Sequence, residues 1–146
     1  MNCTKILVAF DGSQTSKKAV ERAKIIARND ESIEVIVVTA WDLPNTPYDS
    51  FTYHDLLEKY KESGFERKKE VEQLLEDLSN KVDVQVLRGH AANSILRFAK
   101  ENKIDLIIIG NRGLGGIQRF FLGSVSFQVV QKADCDVLVV KNDSEE

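Results

Sequence analysis

Five glycines crowd a stretch of fourteen residues: Gly110, Gly113, Gly115, Gly116 and Gly123. The whole chain holds 8, so the clustering is a local feature and not background. Glycine lets the backbone turn sharply and lets its N–H groups approach a ligand closely. Gly123-Ser124-Val125-Ser126 then opens a helical pattern. The free N–H groups of a helix N-terminus, with the dipole behind them, favour an anion such as phosphate. Ser124 and Ser126 offer hydroxyl donors, and Arg112 offers a charged fork for phosphate oxygens. Arg119 is the weaker cation, because a side chain there can point to solvent. A plainer reading stands beside this one. Glycines at a strand end can serve only a long connection, Ser124 can be a simple N-cap, and Arg112 can be a solvated surface charge.

Asp11, in Phe10-Asp11-Gly12-Ser13, also reads in two ways. At the end of a strand it can accept from ribose hydroxyls or help hold a metal ion. It can equally cap the following helix, although Ser13 is better placed for that. An acid facing a triphosphate would be repelled, so a ribose-facing role is the more sensible ligand role. His90 also follows a strand, but it lacks a partner acid, and a polar loop residue is its plainer role. His54 lies in a charged helical run with no cluster around it. Trp41 and Tyr48 flank the end of another strand, where they either line a crevice or pack the core. No residue is assigned a catalytic role and none a metal-ligand role.

The mechanism-bearing motifs that are missing narrow the field. There is no Gly-x4-Gly-Lys-Ser/Thr, hence no Walker-type loop. The dinucleotide fingerprint begun by Gly113-x-Gly115 needs glycine where Gln118 stands, and these glycines follow the fourth strand, not the first. A receiver domain would carry a phospho-acceptor aspartate where Arg88-Gly89-His90 stands. No Gly-x-Ser-x-Gly elbow is present. With 2 His and 2 Cys, a His-rich metal site and a disulfide scaffold are both excluded.

These residues need a scaffold, and the chain alternates two periods that build one. Short aliphatic runs predict strands at Lys5–Phe10, Ile33–Trp41, Val82–Leu87, Asp105–Ile109 and Asp136–Val140. Helices are expected between them, at Ser13–Arg28, Tyr53–Ser79, Ala91–Glu101 and Gly123–Lys132. Gly64 is a candidate interruption of the long second helix, whose charge run Glu58–Glu72 reads as a solvated face. Pro44 and Pro47 mark a loop. Val82, Val84 and Val86 alternate with Asp83 and Gln85, which suggests a half-exposed edge strand. The alternation calls for one open, doubly wound, five-stranded parallel sheet with helices on both faces, a Rossmann-like α/β fold. Such sheets bind ligands beyond the carboxyl ends of their strands, where strand order reverses. A length of 146 residues fits a single domain, with a polar tail at 141–146. Cys3 and Cys135 begin strands about two strand spacings apart, roughly 9–10 Å, too far for a disulfide.

The composition is that of an ordinary folded chain, with 42% hydrophobic and 29% charged residues. A formal net charge of −3 leaves no overall basic field, which weighs against a general nucleic-acid partner. No apolar run approaches the ~20 residues of a membrane helix, and none near the start resembles a secretion signal. A cytoplasmic protein with two free thiols is expected.

At this point the chain resembles the universal stress protein family. The resemblance rests on Gly110-x2-Gly113-x9-Gly123-Ser124, with Ile-Leu-Val-Ala-Phe-Asp-Gly-Ser13 before it, Gly89-x-Ala91, Asp105-Leu-Ile-Ile-Ile-Gly-Asn-Arg-Gly113, and a closing Cys-Asp-Val-Leu-Val-Val140. The intact glycine signature is similar to the family's ATP-binding branch. That likeness implies Asp11 at the ribose and Ala9, Phe10 and Ala40 near the adenine. It implies Gly110, Arg112 and Gly113 beside the ribose and phosphates, and Gly123, Ser124, Val125 and Ser126 around the phosphates. Phe10 departs from the smaller residue common in the family.

With the expected strand order 3-2-1-4-5, the resemblance implies a nucleotide-dependent regulatory or stress-tolerance module. ATP is the expected ligand, with ADP, AMP or cyclic AMP as alternatives and magnesium accompanying the phosphates. No poised base faces the γ-phosphate position, so hydrolysis is expected to be slow at most. The family implies a homodimer through the last strand. Val137-Leu-Val-Val140 fits, as an apolar strand at a sheet edge. An unknown protein partner is expected besides. Two other readings stay open: a dimeric interaction module of this fold that binds no nucleotide, and a true ATPase or nucleotidyl-transfer enzyme.

Overall fold

The computed structural model describes residues 3–112 and 122–141. Its elements run β1 (Lys5–Ala9), α1 (Gln14–Arg28), β2 (Glu34–Trp41), α2 (Ser50–Leu74), β3 (Val82–Arg88), α3 (Ala91–Glu101), β4 (Leu106–Gly110), α4 (Ser124–Lys132) and β5 (Asp136–Val140). All strand pairs are parallel, in the order β3-β2-β1-β4-β5. This is the expected α/β architecture.

The central strands are buried on both faces, and their side chains divide by the period of two. Ile6, Val8, Val35 and Val37 face one layer with Val20, Ala23 and Val71 of α1 and α2. Leu7, Ala9, Ile36, Val38 and Ile107 face the other, with Ile95 of α3 and Val129 of α4. Strand order therefore reverses between β1 and β4, at the carboxyl ends of two fully buried strands.

Buried polar groups tie the first layer together. Lys24 of α1 is 7% exposed, yet its ammonium donates to the Leu74 carbonyl at 2.9 Å and pairs with Asp77 at 3.0 Å. A cation there complements the carboxyl end of α2. The Asn80 amide nitrogen lies within 3.0 Å of the carbonyls of Ala27, Asp30 and Ile33, so the turn after α1 is gathered onto the segment before β3.

The second helix differs from its sequence expectation at both ends. It begins at Ser50, because the Asp49 carboxylate accepts from the Thr52 N–H at 2.7 Å and caps it. It ends at Leu74, and Leu75 and Leu78 turn into the core beyond it. Gly64 does not interrupt it. The helix crosses the β2–β3 edge there so closely that a Cβ would meet Val86 at 3.0 Å and Trp41 at 3.1 Å.

Candidate functional site

A cleft of about 270 Å³ opens at the carboxyl ends of β1, β2 and β4, at the point of reversal. Ala9, Phe10, Asp11, Ala40, Gly110, Arg112, Gly123, Ser124, Val125 and Ser126 all line it. Gly113 lies outside the described residues, as do Gly115, Gly116 and Arg119.

The β1 end is shaped by a tight turn. The Phe10 N–H donates to the Val38 carbonyl at 3.0 Å, continuing the β1–β2 ladder one step past Ala9. Gly12 then takes a φ of +88°, a conformation glycine adopts without steric cost. The Asp11 carboxylate accepts from the Ser13 N–H at 2.9 Å. Ser13 itself caps α1, accepting from the Ser16 N–H at 3.2 Å. The cap is therefore Ser13, and Asp11 stands half-buried on the cleft wall. Phe10 is 3% exposed and belongs to the α1–α2 core cluster, so it adds little free surface to the cleft.

Across the cleft, the start of the glycine-rich loop is held by hydrogen bonds. The Asn111 N–H donates to the Val140 carbonyl at 2.9 Å. The Asn111 carbonyl accepts from the Gly123 N–H at 2.7 Å and the Ser126 hydroxyl at 2.8 Å. The N-cap of α4 is Gly123, not Ser124, and no side chain caps that end. The first N–H groups of α4 consequently have no intrahelical acceptor and stand on the cleft wall. Ser126 is 3% exposed, with its hydroxyl turned to the Asn111 and Gly123 carbonyls. The Ser126 hydroxyl is thus turned away from the cleft, whereas Ser124 is exposed.

The sequence reading missed Ser13, Ser16, Val38, Ala91, Ile95 and Ile109, which also line the cleft. Val38 and Ile109 sit near strand carboxyl ends, and Ala91 and Ile95 open α3. The signal for Val38 and Ile109 was their place toward strand carboxyl ends, where ligands bind in this architecture; for Ser13, Ser16, Ala91 and Ile95 it was the start of a helix that follows such a strand. Ala9, Val38, Ile95 and Ile109 belong to one apolar cluster, while Asp11, Ser13, Ser16, Arg112 and the α4 N-terminus bring polar groups to the lining. Asp11 is the one acid among the described lining residues.

Other candidates fall elsewhere. Trp41 packs on Gly64, with the Arg88 guanidinium 5.3 Å over its ring, which is the packing reading. The Tyr48 hydroxyl donates to the Pro44 carbonyl at 3.1 Å. His90 is the exposed N-cap residue of α3, without a side-chain capping bond, and is not among the lining residues. His54 is exposed and stacks edge-on with Tyr53. Cys3 and Cys135 are free thiols, and β4 separates the strands they precede. Burial first, then nearby aspartates such as Asp105, pushes both thiols above their ordinary range, opposite to the shift of a reactive cysteine. Among the described residues no group of three or more His, Cys, Asp or Glu could hold a metal ion. Among them also, no helix is long and apolar enough to cross a membrane.

A parallel sheet ordered 3-2-1-4-5 with a cleft at its switch point defines a Rossmann-like α/β scaffold. Comparison with known proteins identifies the family. Residues 2–141 match the model of the universal stress protein family, and the chain belongs to that family. It is 35% identical over 144 residues to universal stress protein MJ0531 of Methanocaldococcus jannaschii, spanning 97% of this chain and 84% of that one. Its fold superposes on universal stress protein UspA of Lactobacillus plantarum with a TM-score of 0.85 and 25% identity, covering 96% and 99% of the two chains. A universal stress protein solved in complex with cAMP is similar at 26% identity and TM-score 0.72, covering 94% and 96%.

Proposed function

We propose that this chain binds an adenine nucleotide, ATP first, in the cleft between β1 and β4. The single observation that carries the reading is convergence. Segments ending β1, β2 and β4 and opening α4, spread from residue 9 to residue 126, bring their motif residues to one cleft lined by both apolar groups and helix-terminal N–H groups. An adenine needs the first and phosphates the second. The relative solved with cAMP supports the same class of ligand, since cyclic AMP shares adenine, ribose and phosphate with ATP. In this reading Asp11 accepts from the ribose, Ala9, Phe10 and Ala40 border the base, and Gly110, Arg112 and Gly113 lie beside ribose and phosphates. Gly123 and the N–H groups of Ser124, Val125 and Ser126 receive the phosphates.

Magnesium fits as a passenger of the phosphates. Among the described lining residues Asp11 is the sole carboxylate, so the described protein groups do not build a cage. Mg²⁺ is commonly held by one or two carboxylates together with substrate phosphates. The metal would supply charge neutralisation there. The chain's own residues bind and orient. Arg112 and Asp11 are the charged groups among the described lining residues. Membership of the family supports a nucleotide-dependent regulatory module in stress tolerance, acting as a β5-paired homodimer on a further protein.

Calorimetry with Mg-ATP on nucleotide-stripped protein tests the reading. We expect a Kd in the micromolar range or tighter, with ADP, AMP and cyclic AMP ranked in the same experiment. Absence of heat for all four would leave an interaction module of this fold. Fast turnover of bound ATP would make it an enzyme.

A further inference from the structure

We propose that Thr15 is a positioning residue for the phosphate end of the cleft, its buried hydroxyl setting the place of Arg112 beside the α4 N-terminus. The inference deepens the nucleotide reading and rests on it. Thr15 lies in the first turn of α1, is 5% exposed, and is not among the lining residues. Its hydroxyl donates to the carbonyl of Arg112, 97 residues away, and sits 3.3 Å from the Ser13 hydroxyl. Contact between α1 and the end of β4 is close. A Cβ on Gly110 would come within 2.6 Å of the Thr15 hydroxyl oxygen and 3.1 Å of its backbone carbon.

Two ties from opposite faces of the sheet thus hold consecutive residues. From the α4 side, the Gly123 N–H and the Ser126 hydroxyl hold the Asn111 carbonyl. From the α1 side, Thr15 holds the Arg112 carbonyl. Arg112 directly precedes Gly113 of the signature. A backbone that offers N–H groups to phosphate binds well only when it is already in place, because ordering it on binding subtracts from affinity. Valine would fill the space of Thr15 but leave the Arg112 carbonyl without this donor. The shape stays and the latch goes.

The test compares wild type, Thr15→Val and Thr15→Ser by calorimetry with adenosine and with Mg-ATP. We expect Thr15→Val to weaken ATP about five- to tenfold, the scale of one lost buried hydrogen bond, and to leave adenosine within about twofold. Thr15→Ser keeps the hydroxyl and should bind ATP near the wild-type level. A general packing defect would instead move both ligands together. Trypsin gives a readout without nucleotide, since it cleaves after Arg112. That bond should be cut about tenfold faster in Thr15→Val, with cleavage at lysines of α2 unchanged. If valine is not accommodated, Thr15→Ala and Thr15→Ser differ mainly by the hydroxyl and give the same comparison. Equal ATP affinity and equal cleavage in the variants with and without the hydroxyl overturn the proposal. No binding of either ligand by wild type overturns the nucleotide reading and the phosphate role together. The cleavage ratio then still reports whether the hydroxyl holds Arg112.

Discussion

At the scale of single residues, Gly110 and Gly123 occupy the same motif and do different work. A Cβ on Gly110 would strike Thr15, its nearest atom at 2.6 Å. A Cβ on Gly123 would meet nothing closer than the Arg112 Cα at 3.5 Å, an ordinary contact, and its φ of −74° is open to any residue. Gly110→Ala should therefore destabilise the fold by about 1–3 kcal/mol through overpacking, seen as a lower urea midpoint. Gly123→Val should lower stability by no more than about 1 kcal/mol, the scale of a poorer N-cap, and lose ATP affinity, because the side chain would occupy the space a phosphate needs. Unchanged ATP affinity in Gly123→Val would remove the phosphate assignment at α4. The sequence could flag both glycines but could not tell them apart, since the difference is a neighbour 95 positions away. Thr15 was missed for the same reason: nothing local marks a hydroxyl whose acceptor is set only by the packing of α1 on β4. The sequence leaves Asp11 open between capping and ligand roles; Ser13 takes the cap by accepting from Ser16, and the ribose role of Asp11 stays a proposal.

At the scale of elements, β1 and β4 are stitched at their starts by one carboxylate. Asp105 accepts from the Thr4 N–H, the Thr4 hydroxyl and the Lys5 N–H, each at 2.9 Å. The Thr4 N–H foremost, with the Lys5 N–H and the Thr4 hydroxyl, holds the Asp105 carboxyl below its ordinary range. A carboxyl whose folded value lies below its unfolded value of about 3.9 gives its full stabilisation above that pH. The contribution fades as pH falls through the folded value. Urea midpoints measured from about pH 6 down to pH 2 should fall in wild type, and Asp105→Asn should flatten part of that fall. At neutral pH the variant, whose amide oxygen can still accept these bonds, should lose less than about 1 kcal/mol. Asp30, Asp49 and Asp77 are lowered too, so some slope will remain. An unchanged slope would deny Asp105 the role. Elements were the most legible level of this chain, because periods of two and of three to four are local. The five strands and four helices fall where the periodicity puts them. The α2 boundaries were not legible. The Asp49 cap begins the helix before its apolar pattern does, and Gly64, a breaker by propensity, is kept by the Trp41 and Val86 side chains against it.

At the scale of the whole molecule, the two edges of the sheet are unlike. On β3, Asp83 and Gln85 are hydrogen-bonded side by side, and polar groups of this kind discourage pairing with another chain. On β5, Val137, Leu138 and Val139 stand half-buried at the other edge. A second copy pairing there would cover them, which is the basis for expecting a homodimer. Sedimentation at micromolar concentration should give about twice the chain mass of 16.5 kDa. Val137→Lys, which puts a charge in that edge, should return the monomer mass with the fold retained by circular dichroism. The edge is also joined to the cleft. The Val140 carbonyl that ends β5 accepts from the Asn111 N–H, and the Asn111 carbonyl is the anchor of α4. A nucleotide that steadies α4 thereby steadies the end of β5. With one site per chain, linkage requires that the factor by which saturating ATP tightens the dimer be the square of the factor by which dimerisation tightens ATP at each site. We expect Mg-ATP to tighten the dimer constant severalfold, and Val137→Lys monomer to bind ATP more weakly by the square root of that factor. Equal dimer constants with and without ATP would leave the edge and the cleft independent. A wild-type monomer at all concentrations would remove the edge pairing itself.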